Sequence, residues 1–161
     1  MMTMRRLLFA AMLFLPFTLL ANAAVADSSE VEGVKILIAD FGLFNPTGGG
    51  KSFFTPSRTV PYAVGQNFGW TMLLRTNKPK IKLREELVLP EKPDTWGDPP
   101  PNGARTISED GRVAITEQEV TPTRSMILNV WGIAPGDPKG RHLVKITVEG
   151  KLLRTFEFTV Q

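Results

Sequence analysis

The chain has 161 residues, 42% of them hydrophobic, a formal charge of +3 and no cysteine. The missing cysteines exclude thiol nucleophiles, thiolate zinc sites and disulfide chemistry together. His142 is the single histidine, too few imidazoles for a zinc or copper shell, so no metal or cofactor is expected.

Residues 1–26 read as a cleavable signal peptide. Arg5 and Arg6 form a positive start, Leu7 to Leu20 are apolar except for Pro16 and Thr18, and Ala21-Asn22-Ala23 and Ala24-Val25-Ala26 place cleavage after Ala23 or Ala26. The apolar run falls short of the roughly 20 residues that span a bilayer, and no cysteine follows it for lipidation. The protein is therefore expected in the periplasm or secreted, with no transmembrane anchor after cleavage. An exported chain without bridges fits a bacterial envelope. Cleavage removes Arg5 and Arg6 but no acid, lowering the formal charge from +3 to +1, and this weakens any case for nucleic acid as a partner. Residues 27–161 then have the size of one domain.

Val31 to Phe44 is the first expected strand, with Gly33 and Gly42 at positions that tolerate bulges. Asn45 to Pro61 reads as a polar loop. Within it Gly50-Lys51-Ser52 imitates the end of a phosphate-binding loop, but Asn45 stands where that loop needs glycine and the prolines downstream prevent a helix. Gly65 to Thr76 alternates, with Phe68, Trp70, Met72 and Leu74 on one face. Lys80 to Leu89 does the same, with Ile81, Leu83, Leu87 and Leu89 opposite Lys82, Arg84 and Glu86. Pro90 to Gly103 is a stiff, proline-rich excursion, and Ile107 begins a weaker region. Gly111 to Val120 is expected to turn Val113 and Ile115 inward, and Arg124 to Trp131 to place Met126, Leu128 and Val130 together, with Met72 and Met126 in core packing. After a loop from Gly132 to Lys139, residues 140–161 form a hairpin that alternates through His142, Val144, Ile146 and Val148 and returns through Phe156, Phe158 and Val160. No mature window shows helical periodicity. The expected fold is all-β, an antiparallel sandwich of about seven strands.

Phe41-Gly42-Leu43-Phe44, Val64-Gly65, Phe68-Gly69, Leu89-Pro90, Gly136, Gly140 and Phe156-x-Phe158-x-Val160 follow one another in an order that resembles a family of small exported bacterial domains of unknown function. The resemblance spans nearly all of the mature chain. It implies an immunoglobulin-like fold and an envelope location, and it brings no catalytic or cofactor residues.

Catalysis is not expected. His142 would be the only imidazole base, it sits at a strand end with the parity of Val144, and no G-x-S-x-G nucleophile turn is present. Glu85 and Glu86 are strand neighbours and face opposite ways, while Glu117 and Glu119 share what should be a wet face. Calcium through Asp137 or Glu109-Asp110 would be short of carboxylates. Two binding features stand out. Lys78, Lys80, Lys82 and Arg84 form a basic row, suited to an anionic partner or to discouraging edge pairing. Trp96, held between prolines, suits an interface anchor or a lid over the sandwich end. The leading expectation is a non-catalytic module that binds a protein or a cell-envelope component. The alternative is a carrier of a small ligand or divalent ion using Trp96, His142 and Asp137 at one end.

Overall fold

The computed structural model describes residues 30–161, all of its regular structure being strand. The leader expected over residues 1–26 lies outside the described residues. Among the described residues no helix is long and apolar enough to cross a membrane.

The strands are β1 (Glu30–Val31), β2 (Val34–Gly48), β3 (Lys51–Pro56), β4 (Thr59–Val60), β5 (Asn67–Thr76), β6 (Ile81–Val88), β7 (Gly103–Ile107), β8 (Val113–Val120), β9 (Met126–Gly132), β10 (Gly140–Val148) and β11 (Leu152–Val160). One sheet runs β1-β2-β5-β9, with β3 also on β2, and the other runs β4-β11-β10-β6-β8-β7. The short strands β1, β3, β4 and β7 carry the count beyond the seven expected. Their inward faces meet in one core around Trp70, Met72, Ile81, Val144 and Ile146, with Phe41 stacked on Phe158 at 4.4 Å between ring centres. Both phenylalanines of the closing hairpin, Phe156 and Phe158, are buried as expected.

Several expectations need correction. Residues 45–56 are not a loop: β2 continues to Gly48 and turns back as β3, so Pro46 and Pro56 lie in a hairpin at the edge of the sheet. β2 is irregular at two places, neither of them at Gly42, and one lies between Pro46 and Gly48 in its pairing with β3. The other falls between Ile36 and Ile38, and it moves the inward set from Val34 and Ile36 to Ala39 and Phe41. In β8 the inward residues are Ala114 and Thr116, because they pair with Leu87 and Glu85 of β6, which leaves Val113 and Ile115 on the outer face. In β9, Met126, Leu128 and Val130 do share a face, but it is the outer one, and Met126 is exposed rather than packed in the core. Ile127 is the buried residue of that strand.

The turn from β8 into β9 carries strain. Arg124 and Ser125 have φ of 51° and 64°, while Thr123 and Met126 exchange backbone hydrogen bonds around them. Left-handed backbone at a non-glycine residue costs about 1–2 kcal/mol. Ser125→Gly is therefore expected to raise stability by about 0.5–1 kcal/mol once the extra freedom of glycine in the unfolded chain is subtracted. A denaturant midpoint moving upward, with its slope unchanged, is the readout.

Candidate functional site

The proline excursion between β6 and β7 closes one end of the sandwich. Trp96 packs against the core, donates its Nε1–H to Gly111 O at 2.9 Å, and sets its edge to the Trp131 ring at 73°. Arg105 of β7 ties the loop down. Its guanidinium donates to the carbonyls of Trp96 (2.8 Å) and Asp98 (3.0 Å) and lies 4.8 Å from the Trp131 ring centre. On the far side Gly136, at φ 82°, lets the loop between β9 and β10 sit directly on Asp94, where a Cβ would come within 2.0 Å of the carboxylate. Trp96 is thus a lid.

Beneath it lies a partly enclosed cavity of about 300 Å³. Phe68, Leu87, Leu89 and Ile133 make its apolar wall, Trp96 and Trp131 its aromatic wall, and Asp98, Arg105, Asp137 and His142 its polar groups. His142, the third residue of β10, is 3% exposed and stacks on Phe158 at 5.1 Å. Nδ1 lies 2.9 Å from Gly140 O. A carbonyl only accepts, so Nδ1 carries the proton and Nε2 presents a lone pair.

Burial holds His142 below its ordinary value of 6.5, against the opposing effects of the Gly140 carbonyl and the Asp137 charge. A base whose folded pKa is depressed contributes full stability above its unfolded pKa and loses it as pH falls through the folded one. Stability should therefore drop as pH is lowered below about 6.5. That part of the acid dependence should vanish in His142→Phe, measured by denaturant midpoints across pH.

Next to this cavity sits a group that the sequence shows only as facing away from Glu86. Glu85 of β6 is 2% exposed, in the interface between the sheets. Its carboxylate accepts from Trp70 Nε1, from Trp131 Nε1 at 2.8 Å and from Asn129 Nδ2 at 3.0 Å. Burial raises its pKa, opposed by these donors and by the nearby Arg105 charge. All three donor side chains come from β5 and β9, so this cluster binds one sheet to the other. Its alternation with Leu83 and Leu87 was the signal available in the sequence.

The basic row lies elsewhere. Lys80, Lys82 and Arg84 are on the outer side of the second sheet, and β6 is paired on both sides, by β10 and β8, so protection of an edge is not their role. Acids from β6 itself, from β8 and from the turn after β10 meet the row. Lys80 faces Glu119 at 3.6 Å, Arg84 pairs with Glu86 and with Glu117 at 3.3 Å, and Lys78 binds the buried Glu149 at 2.7 Å. Of the candidate binding residues, the fold brings Trp96, His142 and Asp137 to one cavity and leaves Lys78, Lys80, Lys82 and Arg84 in a mixed-charge ladder. Asp137 and Asp110 cap turns, accepting from Ala134 N at 2.7 Å and Arg112 N at 3.1 Å. Among the described residues no cluster of three or more histidine, aspartate or glutamate side chains is placed to hold a metal ion.

A second surface is formed by β9, the edge strand of the first sheet. Met126, Leu128 and Val130 are 41%, 49% and 40% exposed, and Ile38 of β2 adds a further apolar side chain on the same outer face. The strand itself, MILNVWG, contains no charged residue and no proline, the usual guards of a free edge.

A search of curated proteins finds no match. Among solved structures, an immunoglobulin-like protein (PA1606) from Pseudomonas aeruginosa superposes with a TM-score of 0.54 at 16% identity, covering 80% of this chain and 96% of that one. The fold is thus immunoglobulin-like. The alkylpurine DNA glycosylase AlkC of Pseudomonas fluorescens, bound to DNA containing an abasic site analog, aligns at 0.40 and 14% identity, over 80% of this chain and 30% of its own. The PmoD soluble domain from Methylocystis sp. aligns at 0.39 and 14% identity, over 78% and 96%. The PM0630 beta sandwich domain matches residues 39–161, and the chain belongs to that family.

Proposed function

We propose that this protein is an exported, non-catalytic binding module of the bacterial envelope, and that it docks a protein partner along β9. The observation that carries the reading is the exposed apolar stripe of Met126, Leu128 and Val130 on an edge strand without charge or proline. Such an edge offers unpaired backbone groups for strand addition and alternate side chains for selectivity. Left uncovered, it would be an aggregation site. The leader-like N-terminal sequence supports export, and the surroundings of His142 suit a non-catalytic role, since among the described residues its imidazole is bonded only to the Gly140 carbonyl.

The test is photo-crosslinking from position 128 in intact cells, with position 80 as control. A discrete adduct formed from 128 and not from 80, and lost when Val130 is replaced by lysine, is the expected result. Equal crosslinking from both positions would refute docking along β9. Val130→Lys should leave the fold within about 0.5 kcal/mol, as exposed changes usually do.

A further inference from the structure

We propose that the cavity roofed by Trp96 is a binding site for a small neutral molecule with a flat apolar body and one O–H or N–H donor, the donor meeting His142 Nε2. This goes beyond docking along β9 and does not rest on it.

Three observations converge. The first is the lone pair. His142 is 97% buried by its 3% exposure, lines the cavity, and has Nδ1–H committed to Gly140 O. Nε2 has no protein partner among the described residues, although buried acceptors are normally satisfied. A ligand donor supplies that partner. The second is shape. Trp96 and Trp131 stand edge to face, with Phe68, Leu87, Leu89 and Ile133 behind them, in a volume of about 300 Å³. That falls at the small end of ligand pockets, which bury an apolar body among aromatic walls and orient it with few polar groups. The third is charge. Asp98, Asp137 and Arg105 all line the cavity, so both signs of charge are present there. An anion would meet the two carboxylates and a cation the guanidinium, while a neutral molecule desolvates neither unfavourably. Arg105 is also spent on the loop carbonyls and Trp131, so it holds the roof rather than recruiting an anion.

Indole and 1-methylindole are matched probes, alike except for the N–H. Binding is read from the side-chain N–H signals of Trp96 and Trp131 in the ¹⁵N-labelled protein. Indole should shift both signals saturably, and 1-methylindole should bind at least about tenfold more weakly, the loss expected for one buried hydrogen bond. His142→Phe keeps a ring against Phe158 but removes the acceptor. It should lower indole affinity about tenfold and leave 1-methylindole unchanged. If that variant fails to fold, the comparison of the two probes on the unaltered protein decides alone. Absence of a saturable shift with indole, equal affinity for the two probes, or tighter binding of benzoate or benzylammonium would each overturn the proposal.

Discussion

Glu85→Ala is expected to cost about 3–5 kcal/mol, the range for removing one member of a buried, hydrogen-bonded charge cluster. The substitution strands Trp70 Nε1–H, Trp131 Nε1–H and the Asn129 amide in the interface between the sheets. Each orphaned donor costs about 1–3 kcal/mol, and the relief of no longer burying a carboxylate offsets part of the sum. A cavity between β5 and β6 adds to the loss. Glu85→Gln should fall in between, because its amide nitrogen would face a donor where an oxygen had accepted. Burial holds the Glu85 pKa above its ordinary value. A carboxyl shifted upward contributes stability below its unfolded pKa and loses it as pH rises through the folded one. The destabilisation of Glu85→Gln relative to the parent should therefore be greatest at acid pH and shrink as pH rises through that window. Guanidinium midpoints followed by tryptophan fluorescence suit this test, since Trp70 and Trp131 flank the carboxylate.

Gly69→Ala should cost about 3 kcal/mol or more, through overpacking against groups that cannot yield. A Cβ at position 69 would stand 2.0 Å from Asn129 O. That atom belongs to the backbone of β9, so β5 and β9 must separate to admit it. The loss would fall on the pairing that presents the docking edge and holds Asn129 and Trp131 over Glu85. Gly132→Ala is the matched control. Its Cβ would meet only Asn67 Oδ1 at 3.3 Å, and it should cost under about 1 kcal/mol. Equal losses at the two positions would mean that general backbone freedom, and not this contact, governs both.

What could be read from the sequence followed the strength of alternation. β5, β6, β10 and β11 carry mainly large apolar residues on the face that turned out to be inward, and those apolar residues lie where expected, Glu85 of β6 being the exception. β9 and β8 misled for one reason: the inward positions hold Asn129, Thr116 and Ala114, while the outer ones hold Leu128, Val130, Val113 and Ile115. Hydrophobicity alone then selects the wrong parity, and only pairing to β5 and β6 decides it. Glu85 was hidden by the same bias, because a carboxylate is taken as wet until its donors are known, and those donors lie 15 to 46 residues away. The basic row looked like a field because its acids lie elsewhere in the chain, Glu117 and Glu119 on β8 and Glu149 in the turn between β10 and β11. Trp96 was recognisable as a lid or an anchor, and the bond to Gly111 and the hold of Arg105 select the lid.

Backbone hydrogen exchange along β9 tests the docking edge most directly. Leu74 N–H bonds to Ser125 O and Ile133 N–H to Gln66 O, so alternation turns the N–H groups of Ile127, Asn129 and Trp131 toward β5 and those of Leu128, Val130 and Gly132 toward the free edge. In the isolated protein at low micromolar concentration, slow exchange at 127, 129 and 131 and fast exchange at 128, 130 and 132 is the predicted pattern. Uniform protection from 127 to 132 would show the edge already covered and would contradict it.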